Sequence, residues 1–137
     1  MDFCEIGQID HVGVVVRDIG AAVKLYQDVF GLKSAPIETL EREGVKATML
    51  RVGESRIELL EPIDPNGGVG RFLERRGEGM HHLAFRVDDI KGKLEVLKSK
   101  GLELIDKEPR KGYSGTIAFV HPRSTQGVLI ELVQPFK

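Results

Sequence analysis

Two histidines and two glutamates recur at matched places along this chain, and together they have the makings of a metal site. His11 opens the apolar run IDHVGVVV's strand-like part, and His82 does the same in MHHLAFRV, 71 residues later. Glu58 lies in IELLEP and Glu131 in IELVQP, 73 residues apart. Alternate side chains of a strand point to opposite faces, so His11 shares a face with Gly13 and Val15, and Glu58 with Arg56 and Leu60. A polar residue buried in such surroundings must find a partner. Imidazole with carboxylate suits Mn, Fe, Co, Ni or Zn rather than a metal that prefers thiolate. Four protein ligands in an octahedral sphere leave two positions for substrate, which points to catalysis rather than to a structural ion. The chemistry this offers is Lewis-acid polarisation of a carbonyl and stabilisation of an enolate.

Each of these residues also has a plainer reading. A lone strand histidine is more often a hydrogen-bonded core residue, and Glu58 and Glu131 can be strand residues pairing with Arg or Lys; the repetition favours ligation. His81 points away from His82's face and has no counterpart in the first repeat, so it is read as structural or exposed. His121 precedes a proline in a turn and is read as solvated, at most on the rim of a site. Neither 66–70 nor 112–115 has the spacing of a phosphate loop. Arg71, Arg75 and Arg76 fit a solvated basic face of a short helix better than a nucleotide site.

The elements that must position the four ligands are themselves repeated. Val12 to Val16 is β-branched and suits a strand, and Asp18 suits the N-cap of a helix in which Ala21, Ala22, Leu25, Val29 and Phe30 recur at helical spacing. Gly31 is placed to end that helix. The second copy has Asp88 or Asp89 as cap, Ile90, Leu94 and Leu97 on the buried face, and Gly101 as terminator. Strand-like runs follow at 34–38, 45–52 and 56–61, with Gly53-Glu54 as a hairpin turn, and again at 103–106, 114–120 and 127–133. The fold class expected is α+β: two paired βαβββ modules forming a curled mixed sheet around a metal site. The expected organisation is one domain over 1–137, with repeats at about 9–62 and 80–135 joined by a linker and short helix at 63–79.

Composition narrows the function. A chain of 137 residues, 41% hydrophobic, is the size of one globular domain. The single cysteine, Cys4, has no partner in the chain, which suits a reducing compartment, and the expected location is cytoplasmic. The first residues, with Asp2 and Glu5, carry no long apolar run, and no later segment approaches a membrane span, so no membrane is expected as a partner. Twenty basic and twenty-one acidic residues are interspersed, and there is no Trp, so nucleic acid is not an expected partner either.

From Ile9 to Pro135 the paired modules and the set His11, Glu58, His82 and Glu131 resemble the vicinal-oxygen-chelate superfamily, which includes glyoxalase I, extradiol dioxygenases and methylmalonyl-CoA epimerases. Within it, IDHVGVVV, GEGMHHLAFRVDDI and FVHPRSTQGVLIELVQP are similar to the epimerase family. That resemblance implies a divalent metal, Co2+ foremost with Mn2+, Ni2+ or Zn2+ as others, on those four residues. It implies an acyl-CoA substrate, inversion at C2 of methylmalonyl-CoA through an enediolate-like intermediate, Glu131 in an acid/base role, and a homodimer. Some epimerases carry a second catalytic glutamate where this chain has Ala47, so the second base is left among Glu41, Glu43 and Glu58. The ligand set also suits a glyoxalase I-like lactoylglutathione lyase, and the fold also serves small-molecule-binding proteins without chemistry.

Overall fold

The computed structural model describes residues 6–137. Cys4, Asp2 and Glu5, on which the reading of compartment and amino terminus drew, lie outside the described residues. Two compact units divide the chain, His11–His81 on one hand and the residues up to Asp10 with His82–Lys137 on the other. Each carries a βαβββ module, so the fold is α+β as the repeat implies.

The first module runs β1 (Gln8–Val15), α1 (Ile19–Phe30), β2 (Glu38–Leu40), β3 (Val45–Val52) and β4 (Ser55–Pro62), followed by α2 (Gly68–Arg76). Its strand order is β2-β3-β4-β1, mixed because β1 runs parallel to β4 while the other pairs are antiparallel. Gly53, at φ 61, opens the two-residue loop between Val52 and Ser55, a left-handed position that glycine takes without strain. The second module runs β5 (Gly79–Arg86), α3 (Ile90–Ser99), β6 (Arg110–Lys111), β7 (Gly115–Val120), a 3-10 turn (Pro122–Ser124) and β8 (Ile130–Pro135). Its order is β5-β8-β7-β6, with β5 parallel to β8.

Both helices start by the same device. Asp18 accepts a hydrogen bond from the Ala21 amide at 3.1 Å, and Asp89 from the Gly92 amide at 3.0 Å. The next orphan amide is satisfied from the end of the last strand: Glu61 Oε1 accepts from Ile19 and Gln134 Oε1 from Ile90, each at 2.9 Å. Gly31, left-handed at φ 70, closes α1 as expected.

Two faces of each sheet do different work. Under α1, Val16, Ile19, Leu50 and Leu59 form a core joined by Ala22, Val23 and Tyr26. The helical face differs from the one expected: of the five residues read as periodic, Ala22 packs there, whereas Leu25, Val29 and Phe30 are 53%, 64% and 64% exposed. Ile19, Ala22, Val23 and Tyr26 follow the same spacing one step round the helix, and the strand surface selects them. Under α3, Ile90 and Leu94 are buried with Val87, Ala118 and Leu132, and Leu97 packs against them, as expected. The expected run 34–38 contributes the isolated bridge Ser34 to Leu50 and the first residue of β2, Glu38, and 103–106 contributes the isolated bridge Leu104 to Val120. The ordered edge strands are β2, which begins at the end of the first run, and β6, which lies beyond the second.

Candidate metal centre

The faces turned away from the helices carry the four predicted ligands, one histidine and one glutamate in each module. In the first, His11 Nε2 lies 3.4 Å from Glu58 Oε1. In the second, His82 Nε2 lies 3.0 Å from Glu131 Oε1. Parallel pairing of first and last strand explains both contacts, because it sets the histidine strand beside the glutamate strand in each module. All four residues are 2–6% exposed. A buried carboxylate beside a buried imidazole presents one oxygen and one nitrogen donor side by side, shielded from water. That donor pair fits a divalent cation of intermediate softness and would not suit a thiophilic one.

Apolar residues frame each pair. On the second module Ala84, Ile117 and Val133 are buried together with Phe119 packed against them. Phe119 stands directly across from Glu131 in the β7–β8 ladder, and its ring meets the His82 ring edge-on at 5.8 Å. On the first module Met49 holds the corresponding place opposite Glu58. Arg86, two positions beyond Ala84 on β5, gives Nε and Nη2 hydrogen bonds of 3.0 and 2.9 Å to the fully buried Asp10. A charge-assisted fork of this kind is what lets an ionised carboxylate stay buried.

The remaining candidates fall elsewhere. His81 packs its ring edge-on against Phe72 at 5.0 Å, a structural contact of α2. His121 accepts a hydrogen bond from the Arg123 amide on Nδ1 at 3.0 Å and so caps the 3-10 turn. Arg71, Arg75 and Arg76 are exposed on α2, with Arg76 over the Phe72 ring. Glu41 and Glu43 are exposed in the turn between β2 and β3. Ala47 is buried on the ligand face, opposite Leu60 of β4 and opposite Glu38 of β2. Glu38, one strand further out, is therefore the glutamate whose register sets it beside the Ala47 methyl. Its place is hidden in the sequence because Glu38 closes the strand-like run 34–38 and opens a strand of only three residues. A cleft of about 430 Å³ lined by Val14, Val16, Ala22 and Tyr26 opens on the helix-bearing side of the first module, on the other face of β1 from His11.

Comparison with known proteins agrees with the paired βαβββ fold. Residues 10–120 match the family described as the Glyoxalase/Bleomycin resistance protein/Dioxygenase superfamily. The chain is 38% identical to the uncharacterized Bacillus subtilis protein YqjC, over 95% of this chain and 94% of that one. It is 33% identical to the mitochondrial methylmalonyl-CoA epimerase of Mus musculus, over 95% of this chain and 74% of that one. It is also similar to the structure of a Streptomyces coelicolor methylmalonyl-CoA epimerase variant in complex with 2-nitronate-propionyl-CoA, with a TM-score of 0.91, 36% identity and 96% of each chain covered. The chain belongs to the glyoxalase/bleomycin resistance protein/dioxygenase superfamily, the vicinal-oxygen-chelate group, and within it to the methylmalonyl-CoA epimerase family of isomerases.

Proposed function

We propose that this chain is a metal-dependent epimerase that inverts C2 of methylmalonyl-CoA, with His11, Glu58, His82 and Glu131 as ligands of one divalent ion and the two modules acting as a single domain. The observation that carries the reading is the pair of buried His–Glu contacts at equivalent positions of two modules, in a chain whose relatives include methylmalonyl-CoA epimerases. When bound, the divalent ion supplies Lewis-acid stabilisation of negative charge developing on the substrate's oxygens. The resemblance favours cobalt.

The chain's own residues then move the proton. C2 lies between a thioester and a carboxylate, so the electron pair left by its proton delocalises into the adjacent carbonyl. Glu131 is the carboxylate assigned to one face of that carbon, where it takes up or returns the C2 proton. It would serve as both ligand and base only if its bond to the ion were weak or displaced during turnover. A second group must serve the other face. Among the glutamates that the sequence leaves open, Glu58 is buried on His11 while Glu41 and Glu43 lie in an exposed turn. Glu38 is exposed as they are, but its register sets it on the ligand-bearing face beside Ala47, and on that ground we assign it the second role. Phe119 and the apolar cluster around it exclude water from the Glu131 side, which strengthens the electrostatics of the step.

The test is exchange of the C2 proton in deuterated water, followed by NMR. Glu131→Gln is expected to abolish it; a wild-type exchange rate in that variant would remove Glu131 from the mechanism. The hemithioacetal of methylglyoxal and glutathione serves as the parallel substrate, and turnover of that compound alone would move the protein to the lyase chemistry.

A further inference from the structure

The repeat that sets Glu38 beside Ala47 sets an arginine at the equivalent place of the second module. Arg110 on β6 pairs with Ile117 of β7, Ile117 with Val133 of β8, and Phe119 with Glu131. The register therefore gives Arg110 the same face as His82 and Glu131. Its guanidinium carbon stands over the Phe119 ring, 5.7 Å from the centroid. That ring is the one that meets His82 edge-on. A single aromatic side chain thus separates the guanidinium from the metal-ligand pair.

Arg110 is also held in place. Its Nε donates to Asp106 Oδ1 at 3.0 Å, and the other Asp106 oxygen accepts from the Phe119 amide at 2.8 Å. One carboxylate therefore ties the arginine to the strand that carries the aromatic platform. This uses Nε alone, and among the described residues no acceptor meets the two terminal amino groups. The side chain is 48% exposed, so a ligand can reach it. A guanidinium stacked on a ring and oriented by a carboxylate is a ready receptor for a planar or tetrahedral oxyanion.

We propose that Arg110 is a substrate-recognising residue that binds an anionic group of the acyl-CoA through its terminal amino groups, with Asp106 and Phe119 as the residues that position it. For its ligand the proposal rests on the epimerase reading. The shared chemistry is an oxyanion, and two parts of the substrate supply one: the free carboxylate beside C2, and the phosphates of the CoA moiety.

The experiment compares wild type, Arg110→Gln and Arg110→Lys on methylmalonyl-CoA and on a methylmalonyl thioester of N-acetylcysteamine, which keeps the carboxylate and lacks every phosphate. Arg110→Gln is expected to lower kcat/KM by about ten- to hundred-fold, the loss of a charge-assisted hydrogen bond, with the fall mainly in KM and with metal content unchanged. Arg110→Lys is expected to fall between, because it keeps the charge and loses the fork. Loss on both substrates assigns the contact to the carboxylate, and loss on the CoA ester alone assigns it to phosphate. Titration of the metal-loaded protein with CoA and with methylmalonate reads the same contact without turnover, so it still decides the matter if the wild type proves inactive as an epimerase. If Arg110→Gln fails to fold, the Arg110→Lys comparison stands in its place. Wild-type kinetics and wild-type affinity for both anions in the folded variants would overturn the proposal.

Discussion

At the scale of single residues, four almost fully buried side chains carry the proposed chemistry. His11 and His82 each place Nε2 against a glutamate oxygen, so removing either imidazole leaves a buried carboxylate without that partner as well as a ligand set one short. His82→Ala is expected to lose bound metal on gel filtration while wild type retains it, measured by elemental analysis of the protein peak; full occupancy in the variant would remove His82 from the ligand set. Glu38 gives a different kind of prediction. Glu38→Gln is expected to slow epimerisation by about a hundred-fold or more, the usual contribution of a positioned acid or base, whereas Glu41→Gln and Glu43→Gln leave it unchanged. The reverse pattern would return the second role to the turn. The two buried His–Glu pairs were legible in the sequence because the duplicated pattern repeats them. Glu38 and Arg110 were not, since each lies on a strand of two or three residues that local periodicity does not reveal.

At the scale of elements, the two modules show which parts of a fold a linear pattern encodes. Strand β3 and the Gly53-Glu54 hairpin were readable residue by residue, because a strand-length run bounded by Gly44 and Gly53 and a glycine at the turn are local signals. The packed face of α1 was not readable. Ile19, Val23 and Tyr26 compete with Leu25, Val29 and Phe30 for the same spacing, and only the strands beneath decide between them. The use of Glu61 and Gln134 to hold the starts of α1 and α3 was equally hidden, since each reaches a helix more than forty residues away in sequence. Asp18→Ala is expected to destabilise the protein by about 1 kcal/mol through loss of the cap. Leu59→Ala, which empties a fully buried position under the same helix, is expected to cost about 2–5 kcal/mol. Urea unfolding measures both, and a larger loss from the cap than from the core would contradict this division of roles.

At the scale of the whole molecule, the proposed reading, one ion held by both modules, links folding to ion binding. An ion that binds only the folded chain adds about 2.7 kcal/mol at about a hundred times its dissociation constant. Thermal unfolding is therefore expected as one transition that rises on adding cobalt and falls with a chelator; two separate transitions, or no response to metal, would contradict a shared centre. Among the described residues no helix is long and apolar enough to cross a membrane. Sedimentation of the full chain is expected to report a homodimer, as the resemblance implies. The most direct test of the central claim is the rate of C2 deuterium exchange in methylmalonyl-CoA, measured on the chelator-stripped protein and again after cobalt is restored. A metal-dependent epimerase gives negligible exchange without metal and rapid exchange with it; equal rates in the two preparations, or none in either, would contradict that reading.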